Sequence, residues 1–321
     1  MAQKVRLGKT ALEVLPIGLG ANAVGGKNLF GDLVNDEESR RVVRAAIDGG
    51  ITMLDTAYLY GLGRSEELIG EVVRQSGRRK DVVIATKVGP IVTESGRTFH
   101  NSPKFLREEA EKCLRRLQTD YIDILYIHFP DEHTPKYEAV GELQRLKEEG
   151  KIRAIGLSNF TPEQLAEANR DGYVDVYQGE YNLVNRSAER VYFPYLREHG
   201  ISFVPYYPLA SGLLTGKFRK DAPPSDYRAN RPQFQGEAFL RNMERVERLR
   251  EIADGKGTGV AQLVLAWYLT RDVIDVAIPG AKRAEQVADN LKALEVRLTE
   301  EEAAEIDRLF ADPADAPDEG K

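Results

Sequence analysis

Eight short runs of β-branched and aliphatic residues, each followed by a segment with helical periodicity, constrain this chain more than any other feature. The runs are Leu15–Gly20, Thr52–Thr56, Val82–Lys87, Ile122–Phe129, Ile152–Leu157, Val174–Gly179, Ile201–Tyr206 and Ile274–Pro279. Val82-Val83-Ile84-Ala85-Thr86 and much of Ile122–Phe129 are nearly continuously apolar, as strands buried on both faces are. Helix starts fall between the runs. Asn35 with Glu38, and Thr161-Pro162 with Gln164, have the spacing of capping boxes, and Ser102-Pro103 and Thr299 with Glu302 open two more helices. Val42, Val43, Ala46 and Ile47 repeat at helical spacing until Gly49-Gly50 stops them. Eight βα units in 321 residues fit an α/β fold of the closed (β/α)8 type better than an open doubly wound sheet. Chain order alone leaves the open sheet available.

On this reading residues 1–311 make one barrel domain. Val5–Leu12, turning at Gly8-Lys9-Thr10, forms a hairpin below it. The one long connection, about Lys217 to Asn242 after the seventh strand, carries Pro223-Pro224, Pro232 and Gly236 and is expected to be a flap over the barrel mouth. The Ala-, Asp-, Pro- and Gly-rich segment 312–321 is expected to be a flexible tail.

Composition narrows the function. Lys and Arg number 45 against 51 Asp and Glu, with signs mixed throughout, which argues against a dedicated nucleic-acid or anionic-membrane binder. No apolar stretch is long enough for a membrane span, and the polar start is not a signal peptide. A single cysteine, Cys113, permits no internal disulfide and no cysteine zinc cage, and fits a reducing cytoplasm.

In a barrel of this type the polar residues at strand C-termini are the catalytic candidates, because the loops converge on that face. Those ends hold Asp55, Lys87, His128, Gln178 and Glu180, and Tyr60 follows in Asp55-Thr56-Ala57-Tyr58-Leu59-Tyr60-Gly61. A lysine ending an apolar strand needs a partner or a shifted pKa, and Asp55 can be that partner. Lys87 beside Tyr60 is expected to bring the phenol down towards the range of a working general acid, with His128 holding a carbonyl oxygen. Each of these residues taken singly is also explained as a structural ion pair or a packed core histidine. Their convergence on one face favours a proton-donating site for carbonyl chemistry.

Other motifs are weaker. His128-Phe129-Pro130-Asp131-Glu132-His133 offers metal-capable side chains, but Pro130 breaks the chain and the spacing matches no helix-borne pair, so no metal is expected. Gly212–Lys217 has too few residues between its glycines for a triphosphate loop, and Phe218 replaces the required hydroxyl. Gly18-Leu19-Gly20 lacks the remainder of a dinucleotide fingerprint. Asp55 with Glu180 would suit a glycosidase but leaves Lys87 unexplained. Trp267 and Cys113 read as helix packing. Ile278-Pro279-Gly280-Ala281-Lys282-Arg283 places a glycine turn and two cations at a helix start, where an anion or a ribose phosphate could bind, although a solvated charged turn has the same appearance.

From Leu7 to Phe310 the chain resembles the aldo-keto reductases. The matching motifs are Met53-Leu54-Asp55-Thr56-Ala57 with Tyr60-Gly61, Ala85-Thr86-Lys87, Tyr126-Ile127-His128, Gly156-Leu157-Ser158-Asn159-Phe160, Tyr177–Asn182, Pro208-Leu209 with Gly212–Lys217, and Ile278-Pro279-Gly280 on to Asn290. Tyr126–Pro135 is most similar to the bacterial branch of the inositol-operon type. The resemblance implies a barrel that binds NADPH in extended form without a metal and reduces a small carbonyl compound. Tyr60 would be the acid, Lys87 paired with Asp55 would tune it, and His128 would orient the carbonyl. Ser158, Asn159 and Gln178 would bind the carboxamide, and Tyr206 would stack on the nicotinamide. Pro208, Leu209, Ser211, Lys217 and Arg228 would hold the pyrophosphate. Gly280, Lys282, Arg283, Gln286, Asp289 and Asn290 would hold the adenosine end and its 2′-phosphate. Phe30 and Phe129 would wall the substrate pocket.

Two positions depart from the family pattern. Tyr207 stands where many relatives have serine, and Gln286 where some have arginine, so a preference for NADP rests mainly on Lys282 and Arg283. The alternative functions are an NADP(H)-binding sensor with slow turnover, as in the potassium-channel β-subunit branch, and a Schiff-base lyase using Lys87.

Overall fold

The computed structural model describes residues 3–27 and 33–311; Phe30 and the segment 312–321 lie outside the described residues. Thirteen strands occur there in chain order: β1 (Val5–Arg6), β2 (Glu13–Val14), β3 (Leu19–Gly20), β4 (Gly26–Lys27), β5 (Leu33–Val34), β6 (Met53–Asp55), β7 (Val83–Val88), β8 (Pro90–Thr93), β9 (Gly96–Phe99), β10 (Ile122–Ile127), β11 (Ile152–Ser158), β12 (Val176–Glu180) and β13 (Ser202–Tyr206). Seven form one parallel sheet in the order β13-β12-β11-β10-β7-β6-β3. Helices separate them, beginning with Asp36–Asp48, Arg64–Ser76, Pro103–Leu117 and Lys136–Glu148.

The eighth expected strand closes the sheet without forming a regular ladder. Residue pairs Ile17–Ala277 and Gly20–Gly280 bridge it to the first strand, and on its other side the Phe203 amide donates to the Val273 carbonyl at 2.7 Å. Pro16 and Pro279 lack amide donors, so this seam cannot be continuous. It is also tight: a Cβ on Gly20 would lie 2.6 Å from the Ile278 carbonyl oxygen, so only glycine lets the two segments meet.

Alternation along each strand sorts the side chains into two cores. Outward residues such as Leu54, Ile84, Leu125, Ile155 and Phe203 pack under the helices. Inward residues Met53, Val83, Ala85, Ile124, Tyr126, Val176, Val204 and Val276 fill the barrel, and Leu7, Leu12 and Val14 of the β1–β2 hairpin plug its lower end.

Local signals act as read, with adjustments. Thr161 with Gln164 and Thr299 with Glu302 form full capping boxes, and Asn35 accepts from the Glu38 amide at 2.8 Å. The connection after β13 contains three short 3₁₀ segments, Ala210–Thr215, Tyr227–Asn230 and Pro232–Phe234, and ends earlier than expected because the helix Gly236–Gly255 includes Asn242. The antiparallel hairpin β8–β9 is an addition, projecting from the upper end of the barrel after Gly89.

Candidate active site

The inward register continues upward from the apolar core. Asp55 lies two residues beyond Met53, Lys87 two beyond Ala85, His128 two beyond Tyr126, Gln178 two beyond Val176 and Tyr206 two beyond Val204. Each of these strands therefore presents its next inward position as a polar group, and Asp55, His128, Gln178 and Tyr206 line one cavity.

Lys87 is 1% exposed and lies beneath the cavity rather than in its wall. Its ammonium donates to Asp55 Oδ1 at 2.5 Å and to the Thr56 carbonyl at 2.8 Å. Gln178 Nε2 donates to the other Asp55 oxygen at 2.8 Å, so both faces of that buried carboxylate are held. The Lys87 Nζ is 5.2 Å from the centre of the Tyr60 ring. Burial pulls the ammonium below its ordinary value against the opposing pull of Asp55.

Tyr60 lines the cavity, but its acidity runs opposite to expectation. Burial, then the charge of Asp55, then Tyr207 hold the phenol well above its usual 10.0. The physical reason is that the charge of Lys87 is offset at close range by Asp55, leaving desolvation to dominate. Tyr60 is therefore a phenol that retains its proton at neutral pH. His128 is held neutral: burial, with Lys87 and Arg97 adding, puts its imidazole well below 6.5. Its Nδ1 is buried with no hydrogen-bond partner among the described residues, and its ring stacks on Phe129 at 4.7 Å.

Asn159 ties the next part of the wall together from a left-handed backbone, φ 62°. Its amide donates to the His128 carbonyl and to Ser158 Oγ, each at 3.0 Å, while Tyr206 donates its hydroxyl to Asn159 Oδ1 at 3.0 Å. Beyond it Tyr207, Ala210 and Ser211 all have positive φ, a concentration of backbone strain that marks a functional loop. The loop is pinned from below by Tyr268, a fully buried residue whose single hydroxyl proton is shared between the Pro208 carbonyl at 2.8 Å and the Tyr181 carbonyl at 3.0 Å. Ser211 Oγ is buried without a partner among the described residues.

The cavity, about 630 Å³, extends from Tyr60, His128 and Phe129 past Ser158, Asn159, Gln178, Tyr206, Pro208, Leu209 and Ser211. Lys217 and Arg228 line it next, then Gly280, Lys282, Gln286, Asp289 and Asn290. Arg283 is not in the wall; its guanidinium lies 4.0 Å from Glu285 on the surface. Gln286 Oε1 accepts from the Lys282 and Arg283 amides at 2.8 and 3.2 Å, so it caps the helix start. The unsatisfied Ser211 hydroxyl, the strained loop and cations along the far half suit a long, partly anionic ligand with a flat head between Tyr206 and Tyr60. An extended dinucleotide fits that description.

Residues that sequence reasoning did not single out also face this space, among them Asn22, Arg97, Tyr227 and Gln262. Arg97 arrives on the unanticipated hairpin. The acid of the His128–His133 motif is used structurally: Asp131 accepts from the amides of Asn101 and Thr134 at 2.7 and 2.8 Å, fixing a turn. Among the described residues no helix is long and apolar enough to cross a membrane.

Known proteins share this sequence pattern and fold. The model of the aldo/keto reductase family matches residues 16–311. The chain is 36% identical over 281 residues to aldo-keto reductase YhdN of Bacillus subtilis, spanning 87% of this chain and 84% of that protein. It is 34% identical over 314 residues to the NADH-specific methylglyoxal reductase of Escherichia coli, spanning 94% and 96%. Among solved structures, the glycerol dehydrogenase of Gluconobacter oxydans superposes with a TM-score of 0.86 at 32% identity, covering 99% of this chain and 97% of that one.

Proposed function

Since the chain belongs to the aldo/keto reductase family, we propose that it reduces aldehydes or ketones to alcohols with NADPH, using Tyr60 as the proton donor. The observation that supports this most directly is the cavity-facing phenol of Tyr60 over the buried Lys87–Asp55 pair, with His128 lining the same cavity. When bound, NADPH supplies the hydride. The chain's own groups do the rest. A neutral His128 can donate a hydrogen bond to the carbonyl oxygen without adding a second buried cation beside Lys87. Tyr60 keeps its proton until negative charge develops on that oxygen, then gives it up. The fixed ammonium below stabilises the resulting phenolate without having to reorganise.

Ser158, Asn159 and Gln178 would bind the carboxamide, and Tyr206 would stack on the nicotinamide. Pro208, Leu209, Ser211, Lys217 and Arg228 would hold the pyrophosphate, with Gly280, Lys282, Gln286, Asp289 and Asn290 at the adenosine end. Preference for NADPH rests on Lys282, which lines the cavity, and not on Arg283, which turns to Glu285. The relative from Escherichia coli is NADH-specific, so cofactor choice varies among similar chains. The test is NADPH oxidation across a panel of aldehydes by the unmodified protein and by Tyr60→Phe. The variant should bind NADPH and lose turnover; turnover retained would remove Tyr60 from the role.

A further inference from the structure

The substrate end of the cavity contains a cation that the reduction itself does not need. Arg97 lies on β9 of the hairpin that rises beside His128 and lines the cavity with it. Its guanidinium packs over two rings, 5.5 Å from the centre of Phe99 and 5.3 Å from that of Phe129. Those rings stack on each other at 4.7 Å, and Phe129 stacks in turn on His128 at 4.7 Å. The result is one continuous pile from imidazole to guanidinium, with Arg97 as its exposed end. Among the described residues Arg97 packs on these rings and forms no salt bridge. Asp55, an acid of the same end of the cavity, is occupied by Lys87 and Gln178. The charge of Arg97 nevertheless reaches the reaction centre, since it is among the causes that depress the His128 imidazole.

An arginine that packs over aromatic rings at a cavity wall, with no acidic partner among the described residues, can receive a carboxylate or phosphate bidentately. The other cations of the wall, Lys217, Arg228 and Lys282, lie at the opposite end, among the groups assigned to the cofactor. We infer that Arg97 selects the substrate, and that the class it selects is short carbonyl compounds bearing a carboxylate or phosphate a few bonds from the carbonyl. This rests on the reductase reading above. The chemistry is unchanged: hydride adds to the carbonyl carbon, the proton from Tyr60 goes to its oxygen, and the anionic group takes no part in bond changes. Arg97 binds that group at one side of the pile while His128 and Tyr60 hold the carbonyl at the other.

The test compares matched pairs that differ by the anion: succinic semialdehyde against butanal, and glyceraldehyde 3-phosphate against glyceraldehyde. For the unmodified protein, kcat/KM should favour the anionic member of at least one pair about tenfold or more, with the difference in KM, and the preference should shrink as salt rises. Which pair responds separates carboxylate from phosphate. Arg97→Ala should bring the ratio close to one, and Arg97→Lys should restore part of it. A ratio near one in the unmodified protein, or one that Arg97→Ala leaves in place, overturns the proposal. A parallel titration of 4-hydroxybutyrate into the NADP⁺-loaded protein by calorimetry does not depend on turnover. Binding that is lost in Arg97→Ala supports the assignment even if no aldehyde is reduced, an outcome that would overturn the reductase reading alone. No binding, or equal binding by the variant, sinks the assignment.

Discussion

The ammonium of Lys87 lies 2.5 Å from Asp55 Oδ1 and 5.2 Å from the centre of the Tyr60 ring, with both charged side chains almost wholly removed from water. One lysine therefore serves a structural and a chemical purpose, and the two can be separated by substitution. Removing either partner of such a pair leaves an uncompensated buried charge, at a cost of about 3–5 kcal/mol. Lys87→Met and Asp55→Asn should each lose about that much in urea denaturation, and the double variant should lose clearly less than the two combined. Additive losses would mean that the pair is not coupled.

The pH behaviour follows from the same burial. As pH rises, Lys87 is the first of these groups to titrate, because burial lowers it from 10.5 while Tyr60 is raised above 10.0. The alkaline limb of kcat/KM should therefore lie below 10.5 and belong to the lysine. It should be absent from the residual activity of Lys87→Met, and no inflection should appear near 6.5, because His128 is already neutral there. A limb that survives Lys87→Met would assign it elsewhere.

Stability should respond to acid through His128. Its folded pKa lies below its unfolded 6.5, so between those two values the unfolded chain binds a proton that the folded one refuses. The contribution is intact above 6.5 and is lost as pH falls from 6.5 towards the depressed folded value. His128→Phe should flatten that part of the denaturation midpoint against pH, and an unchanged slope would contradict it.

Tyr268 offers a test far from the chemistry. Its one hydroxyl proton is shared between the Pro208 and Tyr181 carbonyls beneath the strained loop. Tyr268→Phe should cost about 1–3 kcal/mol in unfolding experiments, the price of an unsatisfied buried polar group. It should also weaken NADPH binding by fluorescence titration while leaving kcat at saturating NADPH close to that of the unmodified protein. A fall in kcat with binding unchanged would refute the pin.

Cofactor choice is tested at Lys282. If its ammonium meets a 2′-phosphate, Lys282→Ala should reduce NADPH affinity about tenfold or more and leave NADH affinity nearly unchanged. Equal affinities in the unmodified protein would refute the clamp.

Much of this was legible in the residues. Strand positions follow from apolar runs, and Asp55, Lys87, His128 and Gln178 stand out because several polar residues end buried runs at the same face of the barrel. The hairpin β8–β9 was not legible. Thr93-Glu94-Ser95-Gly96 has no apolar alternation, since the ladder it joins is mostly solvent-exposed, and so the approach of Arg97 to the cavity left no periodic trace. The acidity of Tyr60 is not legible for a different reason: a sequence shows the Lys87 charge but not that the fold commits it to Asp55, whose own charge and the burial of the ring hold the phenol up. Arg283 was named for its spacing, and spacing does not say which way a surface guanidinium turns.

The two-residue spacing between barrel core and cavity floor has a further implication. Met53 and Asp55, Ala85 and Lys87, Val176 and Gln178 are neighbours on the same strand face, yet the lower member of each pair only occupies volume. The packed stack can thus stay unaltered while cavity-level positions outside the Lys87–Asp55 pair are exchanged, so new chemistry need not disturb the layer that holds the barrel together.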